Sequence, residues 1–393
     1  LEPAGENGTY LQKVPLLRTN ILPGAAYGFS LGGAARPLAE GKDIYAFVLQ
    51  PKDRIAIKDA PMVFVGYGVS APERGWDDFK GVDLTGKVAV MLINDPDFEA
   101  APGEAVAGKF GGQAMTYYGR WTYKYEEAVR HGAVGVLIVH EAPGAGYGWS
   151  TVTAPGGEGF DVVRADPARD KPQLQAWIAR DVAVELFAKA GLDFEAQKAS
   201  ARTAAFRPVP LSGATFAADV PVRHEEVVSH NVIGKLTGRA RPAETVMFSA
   251  HWDAYGPGGV DAQGQPIYRR GAADDGTGIA GVIELARAFK ALGPTARTTV
   301  FAAWTAEERG LLGSEYYGLH PTVSFPKMAA NFTMDTLQTA GASRDVVLIG
   351  YGQNALDGSL KAAAAAQGRT VTPDAHPERG LFYRADHFPM AKR

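Results

Sequence analysis

The sequence predicts an α/β fold in which a sheet with parallel neighbours carries the chemistry. Two patterns lead there. In the second half an apolar run at 244–250, an amphipathic stretch at 277–292 and another apolar run at 298–304 alternate as strand, helix and strand. Elsewhere the 47 glycines and 25 prolines cluster between short apolar runs, the punctuation of many strands and turns with few helices. A chain of 393 residues has room for two domains, or for one large domain carrying an insertion.

Taken in order, residues 1–43 hold one extended candidate, 10–17, and no helix or capping signal, so the chain is expected to enter in mid-domain. Residues 62–67 and 87–93 read as strands with a turn at 83–86. The helical stretch 123–131 stops at Gly132, a residue suited to a left-handed C-cap, and passes into a buried strand at 134–139. Residues 141–157 are too rich in glycine for regular structure. The stretch 60–207 is therefore expected to be a separate β-rich module. Beyond it, Ile279, Val282, Ile283, Ala286 and Phe289 give the 277–292 helix one apolar face, 328–334 adds another apolar segment, and the alanines at 362–366 read as helix.

Composition narrows the chemistry. Cysteine is absent, so thiolate nucleophiles and sulfur-ligated zinc are excluded, and any metal must be held by His, Asp and Glu. Forty Lys and Arg against 43 Asp and Glu give a net charge of −3, which argues against a nucleic-acid partner. Apolar runs such as 133–139 fall far short of the roughly 18 residues of a membrane span, so no transmembrane segment is expected. No charged leader precedes an apolar stretch at Leu1, so any export signal is expected to be gone already, and the lack of cysteine fits a secreted or periplasmic protein.

Several acidic and imidazole groups fall at the ends of the predicted strands. His251 and Asp253 come directly after the 244–250 run. Two residues apart on extended chain, they point to one side, so Asp253 can accept the second ring N–H of a metal-bound His251; a turn Asp beside a strand-end His explains the pair equally well. Asp274 and Asp275 sit among Gly271, Gly276, Thr277 and Gly278 just before the amphipathic helix. Acids there complement a helix dipole, but so many small residues suggest a tight path that fixes the direction of Asp274. Glu307 and Glu308 come after the 298–304 strand, as a solvated helix turn or as two acids dividing cation binding and proton transfer. Asp335 ends the 328–334 segment, and Asp386 and His387 lie near the end of the chain. Each signal is weak alone, yet all fall in one α/β half, and oxygen plus imidazole donors without sulfur suit zinc, with manganese or cobalt as alternatives. Tyr383 and Arg384 can hold substrate or an oxyanion, or simply pack, and Trp252 reads as wall. Asn7 and Asn331 fit the glycosylation pattern, a frequent chance match.

In this order the motifs resemble the co-catalytic di-zinc aminopeptidases of clan MH, over about 229–393. The resemblance implies a zinc-peptidase (phosphorylase/hydrolase-like) fold, a mixed sheet flanked by helices. It also implies that His251 and Asp335 bind one zinc, Glu308 the other, that Asp274 bridges both, and that Glu307 is the general base. Asp253 corresponds to the acid behind the first His, and the Asp274–Asp275 peptide to one that is cis in the family. The stretch 60–207 resembles the protease-associated (PA) domain inserted in some of these enzymes, through Val65, Gly66 and Gly68, the 83–88 turn and the 132–139 strand. That leaves 1–59 and 208–393 as parts of the catalytic domain.

At the end of the chain, the resemblance makes His387 a neighbour of the site and places a fifth ligand beyond Arg393, with the catalytic domain expected to be incomplete at both ends. The implied function is a metal-dependent exopeptidase acting on peptides, most directly an aminopeptidase. A carboxypeptidase or dipeptidase of the same fold and a non-catalytic binding homologue are the alternatives. The sequence gives no reading of oligomeric state.

Overall fold

A computed structural model describes residues 1–261, 263–323 and 326–392. Its centre is one extended mixed sheet. Across it run the strands Met328–Thr333, Arg241–His251, Arg297–Trp304, Val209–Leu236, Arg54–Phe64, Val88–Leu92, Gly135–His140, Leu174–Ala179 and Ile44–Phe47. The first three are mutually parallel, as the alternating pattern predicts, and so are the four from Arg54–Phe64 to Leu174–Ala179.

The 28-residue strand Val209–Leu236 joins these two parallel groups. Its first half pairs antiparallel with Ala26–Leu31 and Arg54–Phe64, its second half with Leu11–Ile21 and Arg297–Trp304. Its alternating burial changes partners midway, and the charged positions at 223–226 hide its continuity from a reading of short apolar runs. Residues 1–43 also differ from expectation. Besides Leu11–Ile21 they form Ala26–Leu31 and Ala34–Leu38, a hairpin closed by Gly32 and Gly33, both at positive φ. The glycine-rich 141–157 contains two short helices, Ala142–Ala145 and Trp149–Thr153, with Gly146 in the left-handed conformation at the end of the first.

The Gly276–Leu292 helix covers the parallel group. Phe289 meets Phe248 and Phe301 with ring centroids 5.4 and 6.1 Å apart, and Val282 is buried beside Ala250. On the opposite side, Trp304 packs on Tyr317 at 5.0 Å. Among the described residues no helix is long and apolar enough to cross a membrane.

Within 60–207 a charged residue sits in the core. Lys124 is fully buried, and its Nζ donates to the carbonyls of Tyr67 (2.5 Å) and Asn94 (2.9 Å). Asp78 and Asp95 supply the opposing charge. Burial pulls the lysine pKa down and pushes both carboxyls up, and their mutual attraction opposes it. Removing one member of such a group strands the others without compensation. Lys124→Met is therefore expected to cost about 3–5 kcal/mol, read as a lower urea midpoint for this part of the molecule; an unchanged midpoint refutes the assignment.

Candidate metal centre

Parallel register brings the acidic loops together. His251 pairs with Trp304, and Ser249 with Thr333, so three strands end side by side at their carboxyl edges, where open α/β sheets bind ligands. Two backbone bonds tie the ends: Trp252 N–H donates to the Trp304 carbonyl (2.9 Å) and Met334 N–H to that of Ser249 (2.8 Å). The acids that leave these strand ends, Asp253, Glu307–Glu308 and Asp335, must then converge on one crevice.

His251 lies at its floor, 1% exposed. Its Nε2 is 3.0 Å from Asp274 Oδ1 and 3.8 Å from both Asp335 Oδ1 and Glu307 Oε2. His251, Asp274 and Asp335 each offer a donor atom, all within 4.8 Å of one another, and among the described residues this is the one such group. Glu308 lies outside it, beside the Tyr255 hydroxyl, with Asp274 and His251 as electrostatic neighbours. His387 is also outside, its ring 4.8 Å from that of Phe382. His131, stacked on Phe79 at 3.9 Å, and His140, 3.1 Å from the Tyr147 carbonyl, belong to no such group.

The two remaining acids of the strand-end motifs act on backbone. The nearest acceptor to His251 Nδ1 is the Asp253 carbonyl at 3.1 Å, with the Asp253 carboxylate at 3.5 Å. That carboxylate also accepts the N–H groups of Glu307 (2.9 Å) and Glu308 (3.2 Å), so Asp253 both backs the imidazole and sets the path of the two glutamates. They lie in a turn before the helix Leu312–Leu319, not in a solvated helix turn.

Asp275 does more than complement the helix dipole. Its Oδ1 accepts from Gly278 N (2.9 Å), capping the Gly276–Leu292 helix, and from Thr336 N (3.0 Å); its Oδ2 accepts from His251 N (3.2 Å). One buried carboxylate thus joins the segments bearing His251, Asp274 and Asp335. Gly278 is required by this arrangement, because a Cβ there would stand 2.3 Å from the Asp275 oxygens. Thr277 adds a second tie, donating to the Ala273 carbonyl (2.7 Å) and accepting from Leu337 N (3.0 Å). The Asp274–Asp275 peptide is cis, as the resemblance implies.

Asp386, noted in the sequence only as the neighbour of His387, also belongs to the site. It is buried, and Oδ1 accepts the Ser314 hydroxyl at 2.5 Å, while Oδ2 has no hydrogen-bond partner among the described residues. Burial, and then the Asp386 charge, push the Glu307 carboxyl far up. Burial, and then Asp274, push Glu308 up to about 7. Burial opposes charge on His251, yet Asp253, Asp335 and Glu307 hold its pKa up to about 12. So many acids around one imidazole demand positive charge in their midst. A divalent cation meets that demand with the oxygen and nitrogen donors it prefers, so the residues present fit a metal.

Residues 231–393 match the model of Peptidase family M28. The match covers less than half of the chain. The matched segment contains every acid and imidazole of the crevice. Aminopeptidase YwaD of Bacillus subtilis is 30% identical over 132 residues, 33% of this chain and 26% of that protein. Carboxypeptidase Q of Mus musculus is 36% identical over 94 residues, 23% of this chain and 18% of that protein. The matched stretches thus span about a quarter or less of the curated relatives. Among solved structures, an aminopeptidase from Aneurinibacillus sp. strain AM-1 superposes with a TM-score of 0.49 at 18% identity, covering 97% of this chain and 73% of that one.

Proposed function

We propose that the protein is a metal-dependent exopeptidase, and within that class an aminopeptidase that removes N-terminal residues from peptides. The observation that carries this reading is the position of Glu307 Oε2, 3.8 Å from the imidazole of the His251, Asp274 and Asp335 group. Such a carboxylate stands at a metal position without being needed as a ligand.

His251 and Asp335 would hold one zinc, Glu308 a second, and Asp274 both; manganese or cobalt are substitutes. Bound there, the ions supply Lewis-acid polarisation of the scissile carbonyl and a lowered pKa for water. Glu307 accepts the proton of the attacking water and delivers it to the departing amine. Asp253 fixes the direction of Glu307 through its N–H, and Asp275 holds the three donor segments in register. We further propose that 60–207 is a protease-associated module, and that the protein works outside the cytoplasm, in the periplasm or as a secreted enzyme.

The relatives include an enzyme named for each end of a peptide, which keeps C-terminal cleavage as a second reading. A panel of peptides blocked at one end decides. The expected result is zinc in the purified protein, loss of hydrolysis on chelation, cleavage of C-amidated peptides and none of N-acetylated ones. Cleavage of N-acetylated but not C-amidated peptides would establish the carboxypeptidase reading, and no hydrolysis by the metal-loaded protein would overturn both.

A further inference from the structure

The two glutamates of the crevice sit on a turn whose own support lies outside it. Residues 305–313 lead from the strand Arg297–Trp304 into the helix Leu312–Leu319 and carry Glu307 and Glu308. Two non-glycine residues of this turn, Ala306 and Leu311, are left-handed, at φ 53° and 62°. Residues with a Cβ are disfavoured there and stay only where their surroundings hold them. Ala306 immediately precedes Glu307, so its conformation helps set the direction in which that carboxylate leaves the chain.

Two grips hold the turn. In its middle, the Asp253 carboxylate accepts the N–H groups of both glutamates. At its ends a single amide spans the gap. Asn231, 0% exposed on the Val209–Leu236 strand, accepts Thr305 N–H through Oδ1 at 3.1 Å and donates through Nδ2 to the Gly313 carbonyl at 2.9 Å. The ends also bond each other, Gly313 N–H to the Thr305 carbonyl at 2.9 Å. Gly313 is required there, since a Cβ would stand 2.3 Å from that carbonyl oxygen and 2.5 Å from Asn231 Oδ1.

Asn231 is itself oriented from behind. Thr305 offers it a donor and Gly313 an acceptor, so one orientation of the amide satisfies both. Its Nδ2 also donates to Gln12 Oε1 at 3.0 Å, and Gln12 Nε2 donates at 2.6 Å to the carbonyl of His320, the C-cap of the Leu312–Leu319 helix. Gln12 is fully buried, faces Asn231 in the antiparallel pairing of their strands, and lies outside the 231–393 match. The N-terminal strand Leu11–Ile21 therefore reaches the turn that bears the glutamates.

We propose that Asn231, oriented by Gln12, is a positioning residue for Glu307: its clamp on Thr305 and Gly313 keeps the turn in the strained form that aims the carboxylate at the His251 group. A buried amide that merely satisfies backbone would affect stability alone, with no effect specific to the base. The proposal rests on the reading of Glu307 as the general base, and the experiment separates the two.

The test is a double-mutant cycle at saturating zinc on leucine p-nitroanilide. Asn231→Ala should lower kcat about ten- to a hundredfold with KM within about twofold, because a small misplacement of a catalytic group costs rate and not ground-state binding. In the Glu307→Gln background the same substitution should change kcat by less than about threefold, since the group it acts through is gone. Hydrogen exchange of 305–313, followed by mass spectrometry at full metal content, should be faster in Asn231→Ala by about tenfold or more. Gln12→Ala leaves both bonds from Asn231 to the turn in place and should show the same pattern in smaller measure; it carries the test if Asn231→Ala does not fold. If Glu307→Gln turns over like the wild type, or the wild type hydrolyses nothing, the base reading falls, while faster exchange of 305–313 still upholds the clamp. Equal losses of kcat in both backgrounds, or unchanged exchange of 305–313, would overturn the positioning role.

Discussion

Glu307→Gln is expected to lower kcat by about 10²–10⁴ while leaving the metal content of the protein unchanged. The amide keeps the size of the carboxyl and leaves the backbone N–H that Asp253 accepts, so the loop geometry is preserved. What disappears is the proton acceptor. None of His251, Asp274 and Asp335, the atoms within 4.8 Å of one another, is touched. Glu308→Gln should do the opposite, weakening metal retention together with activity, because that side chain is assigned to an ion. Adjacent residues therefore give separable outcomes when metal analysis and turnover are measured on the same samples. Near wild-type turnover by Glu307→Gln at full metal content would sink the assignment of the base.

Asp275→Ala is expected to be the most disruptive substitution that touches no proposed ligand. It removes an N-cap, a loss of about 1 kcal/mol by itself, and it strands the N–H groups of His251 and Thr336 in the interior. Each unsatisfied donor adds about 1–3 kcal/mol, so the total should reach about 3–7 kcal/mol. The same bonds hold the segments of His251, Asp274 and Asp335 in register, so metal affinity should also fall, by about 10–100-fold as for other residues that orient ligands from behind. Thermal unfolding with and without zinc separates the two effects. A variant that unfolds like the wild type and binds zinc as tightly would show that the register is held elsewhere.

Much of the site was legible because its residues are placed by local pattern. His251, Glu307–Glu308 and Asp335 each come after an apolar run long enough to read as a strand, and Asp274 precedes a helix whose apolar face repeats at the helical period. What those residues do to one another was less legible. What Asp275 and Asp386 do is not visible in sequence, and nothing local announces that one accepts backbone N–H groups from two distant segments as well as capping its own helix, while the other is an electrostatic neighbour of Glu307. Tyr255 stayed silent for the same reason: its significance lies in Glu308, a neighbour far away in the chain.

By itself the sequence determined the α/β class, the parallel alternation of the second half, the absence of sulfur ligands and the places where acids leave the strands. These come from short-range physics, hydrophobic period and turn chemistry, which a few consecutive residues express. Only the tertiary structure decided that one 28-residue strand carries both parallel groups, that strand register sets His251 against Trp304, and that Asp253 grips the glutamate backbone as well as backing the histidine. Those arrangements depend on hydrogen bonds and charges between groups 20 to more than 200 residues apart, and no local pattern encodes which distant partner a buried polar group will meet.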